Sequence, residues 1–362
     1  MMQAMRALRT GRSREASVAV ASPADRDTRI DAAKALSITL VVLGHAKGVP
    51  DTFTELASSF RVPLFFFLSG WVIQAHGRAR TYAASLLNLV RRILVPYLSF
   101  FALGYAYWLV TRNIGEKALR WGDRPWWEPL QGLLSGIGPQ LYVHPAIWFL
   151  LALFVTTAVY LSLRRLLRPA WLVAASLVVA WAWVALFPRT GLRIPFALDI
   201  LPVSLFYMAT GALASHRLKL PETVPASLAL AALLAPLWLW LTWSNGRVDM
   251  NHLQFGQPSL FFAAALTGIV AVLCVSRCLS GFPALHWIGQ NTMVILCTHI
   301  LVFFVLSGMA SLAGGFDERM PGPAWALLVS AIALAASVPL KWLFARHAPW
   351  AIGLGVRRGS RP

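Results

Sequence analysis

The sequence predicts an all-α protein that crosses a lipid bilayer about ten times, with both termini in the cytoplasm. Hydrophobic residues make up 58% of the 362-residue chain and charged residues only 13%, about half the charged share of a typical soluble domain. The mean hydropathy is +0.63. The apolar residues also form long runs, and about 20 of them in a helix span the hydrocarbon core of a membrane.

Ten apolar runs are candidate membrane spans. In chain order they lie near 30–49, 59–76, 93–111, 146–163, 170–187, 199–216, 226–243, 257–276, 290–312 and 324–345. The second run is short and begins with Arg61 and Pro63, which leaves a tilted, broken or partly re-entrant segment open.

The basic residues indicate the orientation. If the N-terminus is cytoplasmic, about two thirds of the 32 Lys and Arg residues fall in inside segments, as cytoplasmic loops prefer. The net charge of +18 is therefore explained by membrane topology. Because the charges sit in short loops between apolar runs, we do not expect nucleic-acid binding.

Three regions are expected along the chain. Residues 1–28 lack the apolar core of a signal peptide and are expected to form a disordered, basic cytoplasmic tail. Residues 29–347 should form one membrane domain. Residues 348–362 should form a second basic cytoplasmic tail.

The three cysteines, Cys274, Cys278 and Cys297, all lie in apolar runs. No His or acidic residue stands near Cys274 and Cys278 at a metal-ligand spacing. Buried, inert thiols and no metal site are therefore expected.

Residues 112–145 form the longest connection and are expected to face outwards. Trp126 and Trp127 lie beside Glu128, and tryptophan rings next to carboxylates commonly hold sugar rings. An interfacial amphipathic helix anchored by tryptophans explains the same pattern, so both interpretations stay open.

Polar side chains recur along one face of the first span. Asp31, Lys34 and His45 follow helical steps of three and four residues. Because ionisable groups at membrane depth face protein or water, this face should line a polar interior. The helical rise places His45 roughly 16 Å from Lys34, towards the outer side.

The opening of the chain resembles the acyltransferase-3 family of integral membrane O-acyltransferases, and most of all its fucose 4-O-acetylase-like branch. The matching positions are Arg29, Asp31, Lys34 and His45, followed by an aromatic run that ends in Ser-Gly at 63–70. Later similar segments are "RRILVPYL", "AIWFLLALF", "LFYMATGAL" and "WIGQNTMVILCTHILV". The chain departs from the family pattern with Lys34 where many relatives have Arg, and with two adjacent arginines in the third block.

The resemblance implies a multi-pass enzyme of the bacterial plasma (inner) membrane. It would transfer an acetyl or other short acyl group from acetyl-CoA or another acyl-CoA to a hydroxyl of a cell-surface glycan or glycolipid precursor, without a metal. A transporter of a polar or lipid-linked solute is the alternative. That alternative predicts Gly- or Pro-broken spans in symmetric halves, and the sequence lacks them.

The resemblance also implies roles for the polar residues. A hydroxyl needs a general base to attack a thioester, and His45 is the candidate. Asp31 corresponds to the family's acidic catalytic partner, although we expect it to pair with Lys34 or an arginine at the cytoplasmic end. Arg91 and Arg92, with Lys34, are candidates to bind the donor phosphates, and ordinary membrane anchoring is the alternative for both arginines.

Further residues are candidates for binding substrate. Three possible donors to the thioester oxygen are Ser69, Arg61 and Asn291. For His299, a helix-locking hydrogen bond and a substrate contact are equally open. Asp199 is expected either to bind an acceptor hydroxyl or to pair with Arg193. An extended acyl-pantetheine arm, on the order of 20 Å long, would bridge the ~16 Å from the inner end to His45.

Overall fold

The structure is a computed structural model that describes residues 27–75, 81–114, 116–312 and 322–354. Most of both predicted tails, 1–26 and 355–362, therefore lies outside the described residues. Within the described residues, helices account for 79% and strands are absent, so the all-α prediction is confirmed.

Every predicted apolar run folds as a helix. The first eight helices are α1 (Thr28–His45), α2 (Asp51–Ser58), α3 (Arg61–Ala75), α4 (Tyr82–Leu89), α5 (Val95–Thr111), α6 (Glu116–Trp121), α7 (Glu128–Ser135) and α8 (Trp148–Leu163). The others are α9 (Pro169–Leu186), α10 (Leu201–Arg217), α11 (Val224–Asn245), α12 (Pro258–Leu279), α13 (Pro283–Gln290), α14 (Thr292–Leu312) and α15 (Pro323–His347). Short 3₁₀ turns cover Gly138–Gln140, Phe187–Thr190, Met250–His252 and Pro349–Ile352.

Seven helical segments in the described part of the chain are long and apolar enough to cross a membrane. They are Asp51–Ala75, Tyr82–Thr111, Pro169–Thr190, Val224–Asn245, Pro258–Leu279, Thr292–Ala310 and Pro323–His347. The helix α8 is apolar but shorter, and α1 and α10 fall outside the set. A multi-pass membrane protein is therefore shown, while the count of ten spans stays a prediction.

A short break precedes the helix of the second predicted run, 59–76. The helix α2 ends at Ser58, two residues form a turn, and α3 begins at Arg61. Pro63 lies in the first turn of α3, where a missing backbone N–H leaves no intrahelical bond unmade. The break thus sets Arg61 at the very start of a buried helix.

A wide π-helical turn, Val90–Leu94, joins α4 to α5 and carries Arg91 and Arg92. Pro96 has no N–H to donate to the carbonyl of Arg92, and its ring crowds that carbonyl. The backbone N–H of Val95 instead bonds the carbonyl five residues back, on Val90. The proline therefore explains why the helix widens at the two arginines.

Backbones approach closely where α3 crosses α10. A Cβ on Gly70 would lie 1.9 Å from the carbonyl oxygen of Met208, and one on Gly211 would lie 1.9 Å from that of Phe67. Small residues at such crossings let membrane helices pack backbone to backbone. This contact fixes α3, and hence Arg61, against the core.

The connections gather at two ends of the bundle, which we name the His45 end and the Lys34 end. At the His45 end, Gly138 packs against the side chain of Asn251, and the backbone N–H of Phe196 donates to the carbonyl of Ser135 over 2.6 Å. These loops are the ones that the basic-residue pattern predicts on the outer side.

The Lys34 end holds the opposite set of connections. The Arg29 guanidinium donates to the carbonyl of Pro221 over 3.2 Å, and Gly289 packs against the backbone of Asp31. The connections at 218–223 and 289–291 therefore lie at the end of the bundle opposite His45. That the Lys34 end is cytoplasmic stays a prediction.

The packed region continues past the predicted domain boundary at 347. Pro349–Ile352 form a 3₁₀ turn in which Ala351 and Ile352 are buried. A Cβ on Gly353 would lie 2.7 Å from the carbonyl oxygen of Arg92. Residues 348–354 therefore pack against the π-helical turn as part of the membrane domain, with the apolar side chains of Ala351 and Ile352 buried.

Candidate active site

A cavity of about 310 Å³ lies at the His45 end of the bundle. Residues from the ends of α1, α3 and α8 line it, and so does the loop 247–252 between α11 and α12. His45 is half-buried in its wall, whereas Arg247 and His252 are exposed. The cavity therefore connects the His45 imidazole to the surface of this end.

His45 is the last residue of α1, and the chain turns to an extended conformation at Ala46. In the part of the chain that the structure describes, its ring makes no hydrogen bond. The charged and titratable groups near the His45 ring are His299, Arg61 and His144. The ring is thus available to a ligand in the cavity.

The Arg61 guanidinium lies directly over Gly44. A Cβ on Gly44 would lie 1.6 Å from Nη1 of Arg61, and that atom donates to the carbonyl of Leu40 over 3.2 Å. The Ser37 hydroxyl donates to the Arg61 carbonyl over 3.1 Å. Contacts along α1 therefore hold this positive charge beside His45.

His299 lies next to His45 across the helix interface. The two ring centroids are 5.4 Å apart with the planes inclined at 44°. Nδ1 of His299 donates to the carbonyl of Ile295 over 2.8 Å, which is the helix-locking bond that the sequence left open. Nε2 is buried and has no hydrogen-bond partner among the described residues.

His144 is a third histidine of this cluster, and sequence reasoning missed it. Its Nε2 donates to the carbonyl of Cys297 over 2.8 Å, and its Nδ1 is buried without a partner among the described residues. Burial lowers the pKa of His144 to about 4, so the ring is neutral at pH 7. Its only sequence signal is a position just before the fourth apolar run.

The loop 247–252 was also missed. Asp249 caps its 3₁₀ turn, because Oδ1 accepts from the backbone N–H groups of Asn251 and His252 over 3.0 and 3.2 Å. Its Oδ2 pairs with Nδ1 of His252 over 2.9 Å, and the carboxylate also attracts the Arg61 guanidinium. The sequence signal, an Asp followed by Asn and His between two spans, resembles any capped turn.

Asp31 and Lys34 lie at the opposite end. Nζ of Lys34 is 3.7 Å from Oδ1 of Asp31, and Gln290 donates to Oδ2 over 3.3 Å. Asp31 thus pairs with Lys34, as expected, and does not line the cavity that contains His45.

The passage expected between the two ends is not part of this cavity. Arg91, Arg92 and Lys34 are absent from its lining. Between Lys34 and His45, α1 buries Ile38 and Val42 completely in the apolar core. The polar face expected along α1 is therefore interrupted in this structure, because the middle turns of the helix are packed in the core.

Only one of the three predicted donors to the thioester oxygen reaches the cavity. The Ser69 hydroxyl donates to the carbonyl of Phe65 in its own helix over 2.7 Å. Asn291 donates to the carbonyl of Trp287 over 2.6 Å, and it follows α13, whose Gln290 contacts Asp31 at the Lys34 end. Arg61 lines the cavity.

The remaining predicted residues lie outside the cavity lining. Asp199 is buried and pairs with Arg193 over 2.6 Å, the second of the two expected arrangements. Trp126 and Trp127 are 60% and 45% exposed, so they are accessible both to a sugar and to a membrane interface. The structure describes no group of three His, Cys, Asp or Glu residues that could hold a metal ion in 27–75, 81–114, 116–312 and 322–354.

Comparison with known proteins places nearly all of the membrane domain in one family. A family model described as an acyltransferase domain, acyltransferase-3, matches residues 27–342. No curated protein and no solved structure matches the chain. The matched range runs from the first described residue into α15 and contains every residue of the His45 cavity. The chain, an integral membrane protein with the domain of a membrane acyltransferase, therefore belongs to the acyltransferase-3 family.

Proposed function

We propose that this protein transfers an acetyl or other short acyl group from acyl-CoA to a hydroxyl of a cell-surface glycan or glycolipid precursor, in a bacterial inner membrane. Family membership supports acyl transfer at a membrane. The observation that carries the proposal is the His45 imidazole, without a hydrogen bond among the described residues, in a cavity that it shares with Arg61. The likeness to the fucose 4-O-acetylase-like branch stays a prediction.

His45 is the proposed general base. The acceptor hydroxyl attacks the thioester carbonyl carbon while a His45 ring nitrogen takes its proton, so that the new C–O bond forms as the O–H bond breaks. The tetrahedral intermediate then expels the CoA sulfur, and the same proton passes from His45 to the departing thiolate. The products are an ester and free CoA thiol, and the ring returns to its starting state.

Arg61 is the proposed stabiliser of the charge that develops on the thioester oxygen. Its guanidinium is held over Gly44, one residue from His45, by the bond to the Leu40 carbonyl. A fixed positive group beside the reacting carbonyl favours the transition state more than the substrate, because the oxygen gains negative charge on the way.

The acceptor is proposed to arrive at the exposed side of the cavity, past Arg247 and His252. Both side chains can donate hydrogen bonds to sugar hydroxyls. Trp126, Trp127 and Asp199 stay candidates for contacts with a longer acceptor, because they lie in connections of the same end.

The donor is proposed to dock at the Lys34 end, with the exposed Arg91 and Arg92 and with Lys34 as the candidate phosphate ligands. Guanidinium groups bind phosphate oxygens in a fork geometry, and CoA carries several phosphates. Because Ile38 and Val42 are packed in this structure, the acyl arm reaches His45 only after neighbouring helices move apart around α1. Donor binding is therefore expected to change the packing of α1.

The test is transfer of label from radioactive acetyl-CoA into membrane glycans of permeabilised cells. Replacing His45 by Gln removes the base and keeps the polarity, so the initial rate should fall by about 100-fold or more. His216→Gln is the matched control, because His216 is exposed and bonds only Gln74 in the described structure. Undiminished transfer by His45→Gln would remove His45 from this role.

A further inference from the structure

Two buried imidazole nitrogens close to His45 have no hydrogen-bond partner among the described residues. They are Nε2 of His299 and Nδ1 of His144. In each ring the other nitrogen bonds a backbone carbonyl, on Ile295 and Cys297. Because a carbonyl oxygen only accepts, those nitrogens carry the hydrogen, and the unpartnered nitrogens present lone pairs.

A buried acceptor without a donor is unfavourable, and its presence in a folded protein needs a reason. The Nδ1 bond alone is enough to lock the His299 ring against its own helix. That structural role leaves Nε2 unexplained. The ring that faces His299 is His45, with its centroid 5.4 Å away.

We propose that His299 is a positioning residue for His45. Its Nε2 accepts a hydrogen bond from one N–H of the His45 ring, and this selects the tautomer whose other nitrogen offers its lone pair to the cavity. The inference rests on the proposed function, in which that lone pair takes the proton of the acceptor hydroxyl.

The tautomer matters because a neutral imidazole carries its hydrogen on either nitrogen, and only one form is a base towards the cavity. A histidine base held in the wrong tautomer loses most of its catalytic effect. In the structure the two rings are close but not bonded. Hydrogen bonds of this kind are often long without substrate and shorten when it binds.

His299 is a better candidate for this role than His144. The ring of His299 contacts that of His45 directly. The ring of His144 packs edge-on against Phe100 instead. The structure therefore shows a direct ring contact with His45 for His299 and none for His144 among the described residues.

Three variants test the proposal in the label-transfer assay. His299→Leu fills the space without an acceptor and should lower kcat by about 10- to 100-fold, with KM for acetyl-CoA changed less than about threefold. His299→Gln offers an amide oxygen and should recover much of kcat. Thr298→Val is the matched control, because Thr298 is equally buried on α14 and bonds only the Val294 carbonyl.

A second measurement needs no acyl acceptor. Diethyl pyrocarbonate modifies the unprotonated imidazole nitrogen, and peptide mass spectrometry follows the rate at His45. We expect that rate to fall several-fold in His299→Leu and to recover in His299→Gln. If the wild type transferred no acyl group but the His45 modification rates followed this pattern, the result would contradict the proposed function and leave the contact between His299 and His45 standing.

Three results would overturn the positioning role. They are equal kcat losses in the Leu and Gln variants, the same loss in Thr298→Val, and a His45 modification rate that His299→Leu leaves unchanged.

Discussion

Gly44 decides where the charge of Arg61 lies. A hydrogen atom in place of a side chain leaves room for the guanidinium to cross α1 beside His45, and a Cβ there would lie 1.6 Å from Nη1. The guanidinium is the movable end of its side chain, so a methyl group would displace it and leave the backbone in place. The effect of such a change falls on the site and not on the fold.

Gly44→Ala should therefore reduce acyl transfer by about 10- to 100-fold, because a displacement of about 1 Å at a reacting group is costly. Protein yield and melting temperature should stay near those of the wild type, since alanine favours a helix. Gly322→Ala is the control, because no atom of the described residues lies within 4 Å of its added Cβ. Equal activities in the two variants would contradict the placement of Arg61.

Some residues of the site can be identified from the sequence, and others only from the structure. His45 and Arg61 stand out in the sequence because ionisable side chains within apolar runs are rare. His144 and Asp249 look like ordinary loop residues, and they join the site only because distant connections meet at the His45 end. Ser69 fulfils a local role that the sequence also allows, since its hydroxyl bonds the turn below.

At the level of helices, the α3–α10 crossing holds α3, the helix that begins with Arg61, against the core. Gly70 and Gly211 each face a backbone carbonyl of the other helix at a distance that no side chain fits. Because backbone cannot rotate away as a side chain does, even one methyl group forces the two helices apart.

Gly211→Ala should lower the melting temperature of the purified protein by several degrees, as overpacking typically costs about 1–3 kcal/mol. Gly308→Ala should be neutral or stabilising, because its nearest neighbour is the Tyr107 hydroxyl at 3.4 Å and alanine favours a helix. Thermal denaturation followed by the loss of monodisperse protein checks both. If Gly211→Ala were as stable as Gly308→Ala, the crossing would not be as tight as described.

The sequence predicts the helices better than their details. Runs of apolar residues indicate the long helices that the structure describes, because a helix satisfies all of its backbone hydrogen bonds within a membrane. The π-helical turn at Val90–Leu94 was not foreseen. Pro96 signals a disturbance of the helix, but a kink, a break and a wide turn are each compatible with one proline.

At the scale of the whole molecule, the polar groups are separated into two ends. His45, Arg61 and the loop 247–252 share a cavity at one end, while Lys34 and Asp31 pair at the other. The core between them is dry along α1, with Ile38 and Val42 fully buried. Hydrophobic periodicity does not predict this separation, because Asp31, Lys34 and His45 do follow one face of α1. Only the packing of Ile38 and Val42 in the structure shows that this face is interrupted.

The separation sets a requirement for function. In the proposed function, a donor bound at the Lys34 end reacts with a base at the His45 end only if the acyl arm passes through the bundle. The proposed catalysis therefore requires both ends of the same folded chain. A transporter would need neither a released thiol nor a base.

The most direct measurement is the release of CoA thiol from acetyl-CoA by the purified protein, with a membrane extract as acceptor. We expect extract-dependent release by the wild type, a loss of about 100-fold or more in His45→Gln, and no loss in His216→Gln. Equal release by the wild type and His45→Gln, or no release by any of the three proteins, would contradict the proposed function.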